Sequence, residues 1–290
     1  MSRYYPFSVL ALLLVSALIW WKPMPGQVPE HTGQDVVPVF EGWEQNPDGT
    51  YEMYFGYMNR NFSEELNIPV GPNNKFEPGD PDRGQPGFFY PRRQMFLFHV
   101  QVPKDWGQKD LTWTLTSHGR TEKAFGHLQP VWLIDNRLIA ANVHGSSNLD
   151  VVDNDQPPVV KIEPVQAVTY PEPATLKVSV SDDGNPKPGQ RRPRPPQENA
   201  ATFLNAPLPV QPRWPAGLNV TWIEFRGPGK ATFNPAGYQP VVAGKENVTS
   251  VTFSEPGTYV LQAVASDSAL ETRENITITV AAPASHTGSN

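Results

Sequence analysis

The sequence contains no cysteine among its 290 residues. This absence excludes structural disulfides, thiolate metal sites, cysteine nucleophiles and a lipid anchor attached to cysteine. Small secreted domains often depend on disulfides, but domains above about 100 residues can bury enough apolar surface without them. The lack of cysteine is therefore compatible with export.

Basic residues are scarce relative to acidic ones. The chain has 23 lysines and arginines against 29 aspartates and glutamates, which gives a net charge of −6. A general nucleic-acid binder, or a protein that binds anionic membranes, needs a basic face. We therefore expect no nucleic-acid partner, and contact with a membrane only through the N-terminal segment described next.

The longest apolar run lies at the N-terminus, where Arg3 precedes residues 7–21. This run has the length of a signal-peptide core and falls short of the ~20 residues that span a bilayer. The small-residue pattern at residues 15–17 lies inside the run, so it is a poor cleavage signal. We interpret residues 1–22 as a signal peptide or an N-terminal anchor, and the protein as exported to the periplasm or the extracellular space.

Beyond this segment no helical hydrophobic period is sustained. Large apolar residues recur at every second position in residues 51–57, 96–102 and 111–116, which is the pattern of half-buried strands. The 33 prolines and 22 glycines follow no repeat and favour many short strands joined by turns. The sequence therefore predicts an all-β protein.

Changes in composition divide the chain into two domains. We predict a linker at residues 23–35, a first β-sandwich domain at 36–150, a second domain at 157–281 and a frayed tail at 282–290. Acidic residues followed by Pro157 and Pro158 mark the boundary. Two proline-rich stretches interrupt the strands: an excursion at residues 66–87 and an inserted loop at residues 185–215.

Five blocks of the second domain carry a family resemblance. They are VSDDG at residues 180–184, VTW at 220–222, the stretch 227–233 with its Gly-Pro-Gly, the stretch 253–261 with its Pro-Gly-Thr-Tyr, and ASD at 265–267. Their order and spacing resemble the PKD-type immunoglobulin-like β-sandwich found in many exported bacterial proteins. The loop at 185–215 departs from that family, which has a short loop there. The first domain resembles no family that we name.

The resemblance implies structural roles for three residues. In an immunoglobulin-like sandwich a tryptophan on the third strand fills the space between the sheets, and Trp222 holds that place. Tyr259 takes the position of the tyrosine that bonds back to nearby backbone. Leu261 stands where antibodies carry a cysteine, and we expect it to pack in the core.

Acidic residues suggest one cation site. In this topology the start of the first strand and two of the loops meet at one pole, which we expect to face the first domain. Clustered carboxylates are the oxygen ligands that calcium prefers, although Asp and Asn also form turns without any metal. The candidate calcium ligands are Asp153, Asp155, Asp182, Asp183 and Asp267. We expect no other cofactor.

No catalytic motif is recognisable. No serine lies in a Gly-x-Ser-x-Gly turn, and the histidines form no His-x-His pair or other motif with an acid. We expect the protein not to be an enzyme. Arg191, Arg192 and Arg194 lie in the proline-rich loop and are either a stiff exposed segment or a contact for an acidic glycan or another partner.

Three functions fit these features. The leading one is a non-enzymatic binding or scaffolding module of the bacterial cell envelope that engages a protein or a glycan. The second is a carbohydrate-binding protein, and the third is an enzyme with an unrecognised site. The second function would use aromatic platforms in the first domain, for which the candidates are Phe88, Phe89, Tyr90, Trp106 and Trp113.

Overall fold

The computed structural model describes residues 30–143, 149–165, 167–187 and 217–283. Strands are the main regular structure in these ranges, as the period-two pattern predicts. The strands are β1 (Val36–Gln45), β2 (Tyr51–Asn59), β3 (Leu66–Asn67), β4 (Asn74–Glu77), β5 (Phe88–Phe89), β6 (Arg92–Val102), β7 (Leu111–Ser117), β8 (Arg120–Gly126), β9 (Val159–Ile162), β10 (Val168–Thr169), β11 (Ala174–Ser181), β12 (Asn219–Arg226), β13 (Ala231–Asn234), β14 (Gln239–Pro240), β15 (Glu246–Phe253), β16 (Gly257–Ser266) and β17 (Glu271–Ala281).

The first domain packs two three-stranded sheets face to face. Their strand orders are β1-β2-β6 and β4-β7-β8, and the short strands β3 and β5 pair separately. Aromatic rings fill the space between the sheets: Trp113 stacks on Phe76 at 5.8 Å and meets the edge of Phe98 at 5.0 Å between ring centroids. Large rings buried in such contacts contribute strongly to a core.

The proline-rich excursion at residues 66–87 is fixed from inside the first domain by Asn74. The amide nitrogen of this fully buried side chain donates to the carbonyls of Ile68 at 2.8 Å and Pro86 at 2.7 Å. Its amide oxygen accepts a 2.9 Å hydrogen bond from the indole of Trp113. One buried amide therefore ties both ends of the excursion to the aromatic core.

The second domain is a sandwich of two larger sheets. Their strand orders are β13-β15-β11-β9 and β10-β17-β16-β12-β14. In the lettering of immunoglobulin domains, the first sheet reads D-E-B-A, and β12, β16 and β17 of the second sheet read C-F-G. The short strands β10 and β14 add to the two edges of that second sheet. The immunoglobulin-like fold predicted for this domain is confirmed.

The three residues with expected structural roles lie in the core of the second domain. Trp222 and Leu261 are buried between the sheets. The hydroxyl of Tyr259 donates to the carbonyl of Glu255 at 2.9 Å. This bond joins the start of β16 to the turn before it, as in a tyrosine corner.

Two short helices precede the second domain, where the sequence pattern predicted none. They are α1 (Asn136–Val143) and α2 (Leu149–Asp153). The carboxylate of Asp135 caps α1 by accepting from the amide of Leu138 at 2.9 Å, and residues such as Leu, Ala and Arg have high helix propensity. The described parts of the stretch predicted as the end of a strand domain, residues 136–143 and 149–153, are therefore helical.

Only residues 30–35 of the linker predicted at residues 23–35 are described. Residues 30–35 are bound to the first domain: the amide of Gly33 donates to Glu64 at 2.6 Å, and buried Asp35 forms an ion pair with Arg60 at 3.1 Å. The predicted N-terminal apolar run and most of the predicted linker lie outside the described residues. Within the described ranges no helix has the length and apolar character needed to cross a membrane.

Candidate functional site

The second domain is attached to the first by an extensive contact that we call the domain joint. One side of it is the end of β12 and the turn that follows, and the other is the excursion with its flanking residues. The joint consists of Glu65, Asn67, Asp82, Gln85, Gly87 and Tyr90 in the first domain and Glu224, Phe225, Arg226, Gly227, Pro228 and Lys230 in the second.

Phe225 is the apolar centre of the domain joint. Successive side chains of a strand point to opposite faces of the sheet, so Trp222 faces its own core whereas Ile223 and Phe225 face outward. Phe225 is 2% exposed because it is packed into the aromatic core of the first domain. Its carbonyl also accepts from the amide of Gly87 at 2.8 Å. A residue of the second domain thus completes the core of the first.

Arg226 supplies the charged part of the joint. Its guanidinium nitrogens donate to the two carboxylate oxygens of Asp82 at 2.9 and 2.7 Å, and its Nε donates to the carbonyl of Gln85 at 2.7 Å. Such a fork fixes orientation as well as distance. The Arg226 hydrogen bonds also hold the pKa of Asp82 below its ordinary value.

Further polar contacts flank this pair. The side-chain amide of Asn67 donates to the carbonyls of Gly227 at 2.7 Å and Pro228 at 3.0 Å. The amide of Glu224 donates to the hydroxyl of Tyr90 at 2.9 Å, and Lys230 forms an ion pair with Glu65. Apolar burial, backbone bonding and ion pairing all act at this one contact between the two domains.

The predicted acidic residues occupy the other end of β12. Asp267 directly follows Ser266, which pairs with Asn219 at the start of β12, whereas the joint lies around Arg226. The two ends are seven residue steps apart along the strand, which corresponds to ~23 Å at ~3.3 Å per residue. The acids therefore lie at the end of β12 away from the domain joint, and the expectation that they face the first domain stays a prediction. They lie where α2 leads into the second domain.

Four of the five candidate acids interact with one another. We call them the acidic pole: Asp155, Asp182, Asp183 and Asp267. Asp155 is 4% exposed, and neither of its carboxylate oxygens has a hydrogen-bond partner among the described residues. Burial first, and then the charges of the three other acids, raise the pKa of Asp155 to about 7, with a small opposing effect of the backbone amide of Gln156.

The fifth acid, Asp153, has a different partner. Its exposed carboxylate forms a forked ion pair with Arg137 of α1, in which Nε donates at 2.6 Å. This pair holds the pKa of Asp153 below its ordinary value and leaves Asp153 outside the acidic pole. Arg191, Arg192 and Arg194, the candidate partner contacts, lie outside the described residues.

The aromatic residues considered as carbohydrate platforms are structural. Phe88, Phe89, Trp106 and Trp113 are buried, and the hydroxyl of Tyr90 is bound in the domain joint. A sugar stacks on an open ring face, so these rings cannot form the platform that the sequence suggested. The alternation of apolar residues could not distinguish a ring facing the core from one facing solvent.

The histidines in the described part of the chain are dispersed. His118 lies 3.3 Å from Glu64 and His99 lies 3.9 Å from Glu52, whereas His127 packs against Phe40 and Trp132. Within the described ranges, no three acidic or histidine side chains are already placed to hold a metal ion.

No family model matches the chain, and no curated protein matches it by sequence. Among solved structures it is similar to a PKD domain of an M14-like peptidase from a Thermoplasmatales archaeon (16% identity, TM-score 0.24, covering 44% of this chain and 98% of that one). It is also similar to the D00-D0 domain of intimin (10% identity, TM-score 0.27, covering 85% of this chain and 99% of that one). A further similarity is to domains 4 and 5 of the S-layer protein SbsC (12% identity, TM-score 0.21, covering 86% of this chain and 98% of that one).

These similarities concern the fold alone. The assignment of the second domain as an immunoglobulin-like sandwich rests on the strand order of its two sheets.

Sequence reasoning missed the domain joint, although one signal was present. Ile223, Phe225 and Val260 are apolar residues on the outward faces of β12 and β16, where an isolated sandwich would meet water. Apolar residues on both faces of a strand indicate that both faces are covered. The partner that covers them could not be identified from the chain alone.

Proposed function

We propose that the protein is a non-enzymatic module of the cell envelope whose two domains act as one rigid unit that engages a protein or glycan partner. The observation that carries this proposal is the insertion of Phe225 into the core of the first domain. A joint of this kind holds surfaces of both domains at a constant separation, which is useful to a spacer or an adhesive module.

The electrostatics of the joint support the same role. Its charged residues are used in contacts between the domains, as in the pairs of Arg226 with Asp82 and Lys230 with Glu65. Such groups stabilise a fixed arrangement of domains. Export, through residues 1–22, is part of the proposal, because a module of this kind meets its partner outside the cytoplasm.

Carbohydrate binding is the second candidate. It no longer has the aromatic platform that suggested it, and the exposed part of Trp132, at 41%, is the large indole surface that remains available in the described first domain. A glycan array separates this candidate from a protein-binding module. Binding that is lost in Trp132→Ala would favour it.

Site-specific photo-crosslinking in the host cell tests the proposed function. A photoreactive residue is placed at exposed Val131 of the first domain or exposed Val242 of the second. We expect each position to capture an envelope component, and we expect capture to fall in the loosened variant Phe225→Ala/Arg226→Ala. The matched control is Lys75→Ala, which removes an ion pair with Glu77 within the first domain and should leave capture unchanged.

Two outcomes contradict the proposal. One is the recovery of only cytoplasmic components from both positions. The other is capture that is equally strong in the parent and in the loosened variant, because the fixed orientation of the domains would then have no role in partner binding.

A further inference from the structure

The acidic pole presents an electrostatic problem that the described protein groups do not resolve. Asp155 is nine-tenths buried or more, and both of its carboxylate oxygens lack a hydrogen-bond partner among the described residues. A buried carboxylate without a partner is costly, and neighbouring carboxylates increase the cost. A proton or a bound cation would neutralise it.

We propose that the acidic pole binds a calcium ion, with Asp155 as the central ligand. This inference is independent of the proposed partner-binding function, because it concerns only the end of the second domain that lies away from the domain joint.

Asp182 leaves a further oxygen for a cation, and the loop of Asp267 is fixed by its own hydrogen bonds. Asp182 uses Oδ2 to accept from the amide of Gly184 at 2.9 Å, and its Oδ1 is buried without a hydrogen-bond partner among the described residues. Asp267 uses Oδ1 to accept from the amides of Ala269 and Leu270 at 2.6 and 2.8 Å. These bonds fix each loop, so that the acids stay beside Asp155 despite their mutual repulsion.

The neighbouring loop is held against the entry to the second domain. Asp183 accepts from the amide of Asn185 at 2.8 Å, and the side-chain amide of Asn185 reaches the carbonyl of Asn154 at 3.4 Å. The carbonyl of Asn154 therefore lies beside the loop that carries Asp183. Mixed carboxylate and carbonyl oxygens are the ligands of calcium, which tolerates irregular coordination, whereas magnesium requires a near-octahedral arrangement.

The site is not preformed, because no three of the described acidic side chains are already placed to hold a metal. Binding must draw ligands together from three separate segments: the end of α2, the loop after β11 and the loop after β16. The dissociation constant should accordingly fall in the ~10⁻⁴–10⁻³ M range of extracellular calcium modules. An ion bound at the acidic pole would fix the end of α2 to the second domain.

Thermal unfolding of the full chain tests this site. At pH 8 we expect the melting temperature to rise by roughly 2–6 °C between chelator and about 5 mM calcium at constant ionic strength. Magnesium at the same concentration should give a smaller rise. Lowering the pH to about 5.5 should weaken calcium binding roughly tenfold or more, because a proton on Asp155 competes with the ion.

Two variants make the result specific. Asp155→Asn should melt at or above the parent temperature in chelator, since it removes a buried charge, and it should lose the calcium response. Asp153→Asn is the matched control, because its carboxylate lies two residues away but is bound to Arg137. It should keep the calcium response of the parent.

Calorimetric titration of the parent with calcium provides a second measurement. The proposal is overturned if the parent melts at the same temperature with chelator and with calcium and the titration shows no binding heat. It is equally overturned if Asp155→Asn responds like the parent, or if magnesium and calcium give the same rise, which would indicate general screening of surface charge.

Discussion

Arg226 and Asp82 lie 144 residues apart in the sequence and form a forked salt bridge between the two domains, with both N–O distances below 3 Å. The pair stands beside Phe225, which packs into the core of the first domain. Ionic and apolar contacts thus occur on adjacent residues of one strand end. Together these contacts attach the immunoglobulin-like second domain to the proline-rich excursion of the first domain.

Removing the apolar contact made by Phe225 should destabilise the protein strongly. Phe225→Ala should lower the free energy of unfolding by about 3–5 kcal/mol, the usual range for a buried aromatic. Because the ring belongs to the core of the first domain, calorimetry should show one transition in the parent and two in the variant. Two separate transitions in the parent would show that the joint does not couple the domains.

Removing the ion pair between Arg226 and Asp82 should destabilise the protein only slightly. The side chains of Arg226 and Asp82 are 24% and 47% exposed, and exposed pairs contribute up to about 1 kcal/mol. A double-mutant cycle with Arg226→Ala and Asp82→Ala should give a coupling free energy of roughly 0.5–1 kcal/mol that decreases at high salt. A coupling of zero would mean that the pair forms without stabilising the joint.

The core of the second domain depends on Trp222. Trp222→Ala should destabilise the protein by ~3–5 kcal/mol, because the side chain is 4% exposed and lies between the two sheets. Trp132→Ala is a matched control for the loss of an indole, since Trp132 is 41% exposed. Equal losses of melting temperature in the two variants would contradict the placement of Trp222.

Stability should increase as the pH falls from about 8 to about 6. Burial raises the pKa values of both Asp155 and Glu224 to about 7. The folded state then binds protons that the unfolded state has already released, so stability is greatest below the unfolded pKa values and is lost as the pH rises toward 7. Above about 8 both states are ionised and the dependence levels off.

Melting temperatures measured in chelator between pH 5 and 8.5 check this dependence. Asp155→Asn and Glu224→Gln should each flatten part of the slope, and the double variant should flatten most of it. A parent protein that becomes more stable on going from pH 6 to pH 8 would contradict the assigned directions.

Local patterns in the sequence were sufficient to predict the strands and the fold of the second domain. Alternation identified β2, β6 and β7, and the Pro-Gly-Thr-Tyr turn located Tyr259, because both depend on nearest neighbours along the chain. Helix α1 was missed since its eight residues bury only Ala140, so no apolar stripe marks it.

Long-range features were harder to predict. Residue type and loop position identified the acids of the acidic pole. Their orientation relative to the first domain could not be predicted, because it depends on which end of β12 contacts that domain. Phe225 decides this, and its partner is formed by residues more than 100 positions earlier in the chain. Asp153 was included among the ligands because Arg137 lies on a helix that the pattern did not reveal.

The central claim is that the two domains form one rigid unit, and a distance measurement across the joint tests it most directly. The natural chain has no cysteine, so Lys123→Cys on β8 and Thr252→Cys on β15, both exposed, give two unique spin-label sites. Pulsed electron paramagnetic resonance should show a single narrow distance distribution in the parent, which broadens when Phe225→Ala is added. A broad distribution in the parent, unchanged by Phe225→Ala, would contradict the account.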